Sequence, residues 1–221
     1  MFISFEGPDG SGKTTQVGLL CEALEAKGLD VVQTREPGGT SIGEQIREIL
    51  HDVANEAIVP KTEVLLYSAA RAQHVAEVIL PALERGAIVV SDRYAESTFA
   101  YQGYGHGLEL EMLEKIADFA TEEVYPDLII YLDLAVAEGL GRKRRDRQKG
   151  RGEWNRMDQQ KLAFHRRVRK GYLEMARQDS ARWLILDATR SVEALHGAAL
   201  DRVATLLSKD DEADTSNFSN A

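Results

Sequence analysis

One glycine-rich run near the start of the chain constrains its fold more than any other feature. Gly7-Pro8-Asp9-Gly10-Ser11-Gly12-Lys13-Thr14 fits G-x-x-x-x-G-K-[ST], and it lies between the apolar run Phe2–Phe5 and a helical pattern that begins at Lys13. Glycines let successive backbone N–H groups curl round an anion without Cβ clashes, and the N-terminus of the following helix adds partial positive charge. Lys13 would reach the β- and γ-phosphates as a point charge, and Thr14 would offer its hydroxyl to a magnesium ion. The run therefore points to a nucleoside triphosphate and its metal, held at the carboxyl end of a first strand. It does not by itself name a reaction.

The remainder of the chain repeats that strand-then-helix rhythm. Phe2–Phe5, Val31–Thr34, Ala87–Ser91, Leu128–Leu132 and Trp183–Leu186 read as short buried strands. Helical patterns lie at 13–27, 41–51, 61–84, 108–122 and 159–178, and a last one runs from Ser191 to Leu207. Apolar strands separated by helices mean crossover units and a parallel sheet covered on both faces. The 221 residues fit one domain, taken as 1–208, and the acidic, aperiodic stretch 209–221 reads as a disordered tail.

Composition excludes several classes. A net charge of −9 argues against a general nucleic-acid binder. No apolar run reaches the ~20 residues of a membrane helix. The segment Met1–Glu6 does not read as a signal peptide. The single cysteine, Cys21, suits a reducing compartment and hence a cytoplasmic protein. The charge is uneven, however: seven of the ten residues from Arg142 to Arg151 are Lys or Arg.

In open α/β sheets, ligands bind outside the carboxyl ends of the strands. The third strand ends in Ser91-Asp92-Arg93-Tyr94, which places Asp92 to hold magnesium through water and Arg93 to grip a phosphate. Asp133, at the end of the fourth strand, is the rival for the metal role. The stretch from Asp92 to Gly103, D-R-Y-A-E-S-T-F-A-Y-Q-G, resembles the D-R-[YFH]-x-x-S-[TN]-x-A-Y-Q-G signature of thymidylate kinases. Thr34-Arg35-Glu36-Pro37-Gly38-Gly39-Thr40 is similar to that family's second-strand loop, and the segment from Leu65 to His74 is similar to its L-L-[FY]-x-A-x-R-x-Q helix. With the phosphate cradle these blocks fall in the family's order, and the resemblance runs from about Phe2 to Leu207.

The resemblance implies a P-loop kinase with a five-stranded parallel sheet in order 2-3-1-4-5, flanked by helices and carrying a mobile lid. It implies phosphoryl transfer from ATP to dTMP with Mg²⁺, and a homodimer. On this chain it assigns Tyr67 to stack on thymine, Arg71 to bond the base edge, and Thr98 to read the base. Arg93 and Arg35 would hold the 5′-phosphate, and Asp9, with Glu36, would lie between the substrates. Gln102 would lie near the sugar or base, and Tyr101 under the sugar, where it leaves no room for a 2′-hydroxyl. Gly10 fills the position where one subtype carries a cradle arginine, so the catalytic arginine should come from a lid at about 142–158. Arg151 is the first candidate, followed by Arg147 and Arg145. The lid's end departs from the usual D-R-[IFM]-E, reading Asn155-Arg156-Met157-Asp158. The alternative is a kinase of the same fold acting on another nucleoside monophosphate or small acceptor. A regulatory GTPase would need an N-K-x-D block, which the sequence lacks.

Overall fold

The computed structural model describes residues 1–150 and 155–218, with side chains through Ser208. Its strands are β1 (Phe2–Glu6), β2 (Val31–Arg35), β3 (Ile88–Asp92), β4 (Leu128–Asp133) and β5 (Trp183–Asp187). All pair in parallel, in order β2-β3-β1-β4-β5. This is the 2-3-1-4-5 sheet expected from the resemblance.

Period-two alternation decides which helices cover which face. Ile3, Phe5, Leu128, Ile130 and Leu132 point to one side, against Val17, Leu20 and Leu24 of α1 (Lys13–Glu25) and Leu195, Ala199 and Val203 of α9 (Val192–Phe218). Ile129 and Tyr131 point to the other, against Phe164, Val168 and Tyr172 of α8 (Leu162–Gln178). Phe2 and Val89 also face that side, over Val75, Ile79 and Ala82.

α2 spans Ser41–His51, and α3 spans Pro60–His74. α3 continues through a π-helical segment, Val75–Ile79, into α4 (Leu80–Glu84), so the single pattern at 61–84 is one long helix with a π interruption. After β3 come α5 (Ala95–Thr98) and a second π segment, Phe99–Gly105, where the sequence reading placed no helix. α6 (Leu110–Thr121) follows.

The basic run differs from the expected lid loop. Residues 142–148 belong to α7 (Val136–Gln148), which begins before the run. Lys, Arg and Gln are good helix formers. Glu138 sits in the first turn and bonds Arg142 at 2.6 Å, and Arg145 and Arg147 occupy the last turn, so charge also matches the helix dipole. Within the stretch 209–221 read as a tail, α9 carries helical backbone through Phe218, and 219–221 lie outside the described residues. No helix among the described residues is long and apolar enough to cross a membrane.

Candidate active site

The carboxyl ends of β1, β2 and β3 open onto a cavity of about 950 Å³. It is lined at one end by Gly10, Gly12, Lys13 and Thr14, and at the other by Tyr67, Arg71, Thr98, Tyr101 and Gln102. Arg35, Glu36, Asp9, Asp92 and Arg93 lie between.

The cradle end is backbone. Gly10 and Gly12 take φ of 78° and 94°, and Gly12 caps α1. A Cβ on Gly10 would sit 2.7 Å from the Gly139 carbonyl oxygen, so α7 is packed directly on the cradle. Ser11 and Lys13 are buried; Lys13 donates to the carbonyls of Gly7 (3.1 Å) and Pro8 (3.0 Å). Burial and the neighbouring Arg93 charge bring the Lys13 ammonium down to about 8. A bound triphosphate would reverse that shift by supplying negative charge. Thr14 Oγ1 donates to Asp92 Oδ2 at 2.6 Å. One hydroxyl and one carboxylate beside a phosphate site are the hard oxygen donors that suit Mg²⁺, which keeps most of its waters. Asp133 is engaged elsewhere: both its oxygens take Arg169, at 2.7 and 2.8 Å.

Between the two ends stands Asp9. Arg93 donates to its Oδ1 at 2.7 Å and Lys143 to its Oδ2 at 2.6 Å, with Lys13 3.8 Å away. Burial alone would raise the Asp9 carboxyl, but these three cations hold it well below the usual carboxylate range. Arg93 follows the last residue of β3 with φ of 77°, a left-handed conformation that costs a non-glycine residue roughly 1–3 kcal/mol. Its guanidinium also reaches Ser97 at 3.1 Å and lies over the Tyr101 ring, 5.3 Å from the centroid. Desolvation beside the Arg93 charge leaves the Tyr101 phenol raised, to about 12. Beneath them Glu6 is fully buried and accepts from the Tyr94 N–H, Ser97 and Tyr172 at 2.7–2.8 Å.

The other end is made of side chains. α3 presents Glu63, Tyr67, Arg71 and His74 on one face, at helical spacing. Arg71 is buried and donates to Glu36 (2.8 Å), Thr98 (3.0 Å) and the Tyr94 carbonyl (3.1 Å). Glu36 lines the cavity, but both its oxygens are turned to protein partners. One oxygen holds Arg71 and the other lies 3.0 Å from His74 Nδ1, because a buried carboxylate needs its charge matched. Arg35 is half exposed and directs one nitrogen at both oxygens of Glu44, 2.9 Å away.

Of the expected catalytic arginines, two are described, Arg145 and Arg147. Arg147 is exposed on the last turn of α7 and is not among the residues lining the cavity; Arg145 is exposed on the same turn. Arg151 lies outside the described residues. Lys143, which the sequence reading did not single out, is the basic-run side chain that touches Asp9. It also bonds Asp158 at 2.6 Å. The departure at 155–158 is a capped turn: Asn155 Oδ1 accepts from the Met157 and Asp158 N–H groups, and Asp158 Oδ2 accepts from the Asn155 N–H.

Comparison with known proteins decides the family. The sequence profile described as Thymidylate kinase matches residues 5–199. The chain belongs to the thymidylate kinase family. It is 52% identical over 202 residues to a thymidylate kinase of Roseiflexus sp. (strain RS-1), covering 88% of this chain and 89% of that one. It is 46% identical over 210 residues to one from Trichlorobacter lovleyi, covering 92% and 99%. The crystal structure of thymidylate kinase from Ehrlichia chaffeensis superposes with a TM-score of 0.72 at 33% identity, covering 92% of this chain and 98% of that one. The chain is a kinase that phosphorylates dTMP in dTTP synthesis.

Sequence reading missed Glu6, Glu63, Lys143 and Arg156. Three carried a local signal: Glu63 precedes Tyr67 by four residues and Arg71 by eight, Lys143 lies in the basic run, and Arg156 lies in the lid-end stretch.

Proposed function

We propose that the enzyme carries out ATP + dTMP → ADP + dTDP across the Asp9 junction. The observation that carries this reading is one cavity joining a triphosphate cradle to a pocket lined by Tyr67, Arg71, Thr98 and Gln102, with Arg93 and Lys143 meeting on Asp9 between them. An oxygen of the dTMP phosphate attacks the γ-phosphorus as the bond to the β-bridging oxygen breaks. Little covalent chemistry is asked of the protein, so positioning and charge stabilisation dominate. The cradle N–H groups and Lys13 bind the donor. Arg93 and Arg35 orient the acceptor phosphate. Tyr67, Arg71, Thr98 and Gln102 hold the base, and Tyr101 packs against the sugar.

Thr14 and Asp92 would hold magnesium, which when bound neutralises the charge on the phosphate oxygens. The segment at about 142–158 is the lid of this reading, and its closure would carry the charge of Arg151 and Arg147 to the transferring phosphoryl group. The protein works in the cytoplasm as a homodimer; the buried lone Cys21 supports the first, and the exposed Leu65, Met112 and Phe119 on α3 and α6 support the second.

A coupled ADP-release assay across the common monophosphates tests the reading. dTMP should be the best acceptor. dUMP should be poorer by the ~1–3 kcal/mol that one methyl contributes in a pocket. Comparable turnover of AMP or CMP would overturn it. In a magnesium titration, Asp92→Asn should raise the metal requirement more than Asp133→Asn, and the reverse ranking would move the metal to Asp133.

A further inference from the structure

Glu63 and Arg156 have no place in the roles above, yet both are buried at the base end of the cavity. Glu63 Oε1 accepts from Gln102 Nε2 at 2.6 Å and lies 3.3 Å from His106 Nε2. Its Oε2 takes Arg156 Nη2, and Arg156 Nε donates to the Leu50 carbonyl at the end of α2, 3.2 Å away. We infer that Glu63 is a specificity-determining positioning residue, which fixes the amide of Gln102 so that its carbonyl oxygen faces the base. The inference rests on the thymidylate reading of the pocket and deepens it.

The argument is one of donors and acceptors. An ionised carboxylate can only accept. Burial would push the Glu63 carboxyl up, but His106, Arg156 and Gln102 hold it below the usual range. An amide that touches such a group must do so through its N–H, so the usual ambiguity of amide orientation is removed. The Gln102 oxygen is left for the cavity that Gln102 lines. Arg71 has five N–H donors and spends three on Glu36, Thr98 and Tyr94. The pocket therefore offers donors from Arg71 and an acceptor from Gln102. That pattern fits a pyrimidine with a ring N–H beside a 4-carbonyl. It opposes one with a bare ring nitrogen beside a 4-amino group, where two donors and two acceptors would collide. Arg156 keeps the Glu63 charge tolerable in a dry site, where an unpaired carboxylate is strongly disfavoured.

The test is kcat/KM for dTMP and for 5-methyl-dCMP, which keeps the methyl and inverts the hydrogen-bonding edge. It is read in the full-length enzyme at saturating ATP and magnesium. Glu63→Gln can donate or accept, so Gln102 is released to turn. The dTMP preference should narrow at least roughly tenfold, with the dTMP loss falling more on KM than on kcat. Glu63→Asp remains acceptor-only and should keep the parental preference even where overall activity drops. If Glu63→Gln does not fold, the double variant Glu63→Gln/Arg156→Gln, which leaves no unpaired buried cation, should show the same narrowing. An unchanged preference in either folded variant, or a Glu63→Asp enzyme as relaxed as Glu63→Gln, overturns the inference. A parent enzyme that does not phosphorylate dTMP overturns the functional reading instead, whatever the variants do.

Discussion

The two ends of the cavity are built on opposite principles. The donor end of the proposed site is a contiguous run of backbone, with Gly10 and Gly12 at positive φ and the buried side chain of Lys13. The acceptor end gathers Glu36, Glu63, Arg71, Thr98 and Gln102 from β2's loop, α3, α5 and a π segment, and pairs their charges out of water. A backbone site needs the right φ values and little else. A side-chain site with buried charges needs every partner in place, because each missing one leaves a desolvated group uncompensated. The acceptor end should therefore couple function to stability, while the donor end should separate them.

Arg71→Met should show the largest effect. Removing the guanidinium leaves the buried Glu36 carboxylate facing only His74, a destabilisation of roughly 3–5 kcal/mol together with loss of dTMP binding. Thermal unfolding and dTMP titration measure both, and a variant that loses binding at parental Tm would break the contrast. Lys13→Ala tests the other side. Turnover should fall by roughly 10²–10³ or more, the scale of one preorganised charge donor, while Tm changes little because Asp9, 3.8 Å from Lys13, keeps Arg93 and Lys143.

Glu96 sharpens the comparison through pH. It is buried on α5 with Oε2 unpartnered, and burial, with Glu6 nearby, raises its carboxyl to about 7. Its folded-state value lies above the unfolded one, so the native state holds the proton longer and stability falls as pH rises from about 4.5 through 7. Glu96→Gln should match the parent near pH 4 and exceed it at pH 8 by about 3 kcal/mol at most, read from denaturant midpoints. Equal pH slopes for parent and variant would show that Glu96 ionises without penalty. The smallest effect belongs to the rim: Arg35→Ala breaks a half-exposed pair with Glu44 and should change stability by less than about 1 kcal/mol. If Arg35 grips the acceptor phosphate, the same variant raises KM for dTMP, and a parental KM would leave that phosphate to Arg93.

The donor end was legible from residues alone, because a glycine pattern reports backbone conformation directly and its ligands adjoin in sequence. The acceptor residues were legible only through resemblance to a family, and their partners were not legible at all. Glu36 reads as a substrate neighbour in its loop, but turns inward onto Arg71 and His74. The basic run Arg142–Arg151 reads as a loop, yet residues 142–148 are helical, and the cation it delivers to Asp9 is Lys143 rather than Arg145 or Arg147.

The sequence by itself determined the strands, the order of alternation and the cradle, since these depend on local periodicity and on glycine's access to positive φ. Only the tertiary structure decided which charges meet. Asp9 with Lys143, and Glu63 with Arg156, are separated by 134 and 93 residues. Pairing across such distances is set by how sheet and helices pack, because a buried charge takes whichever opposite charge the fold carries to it.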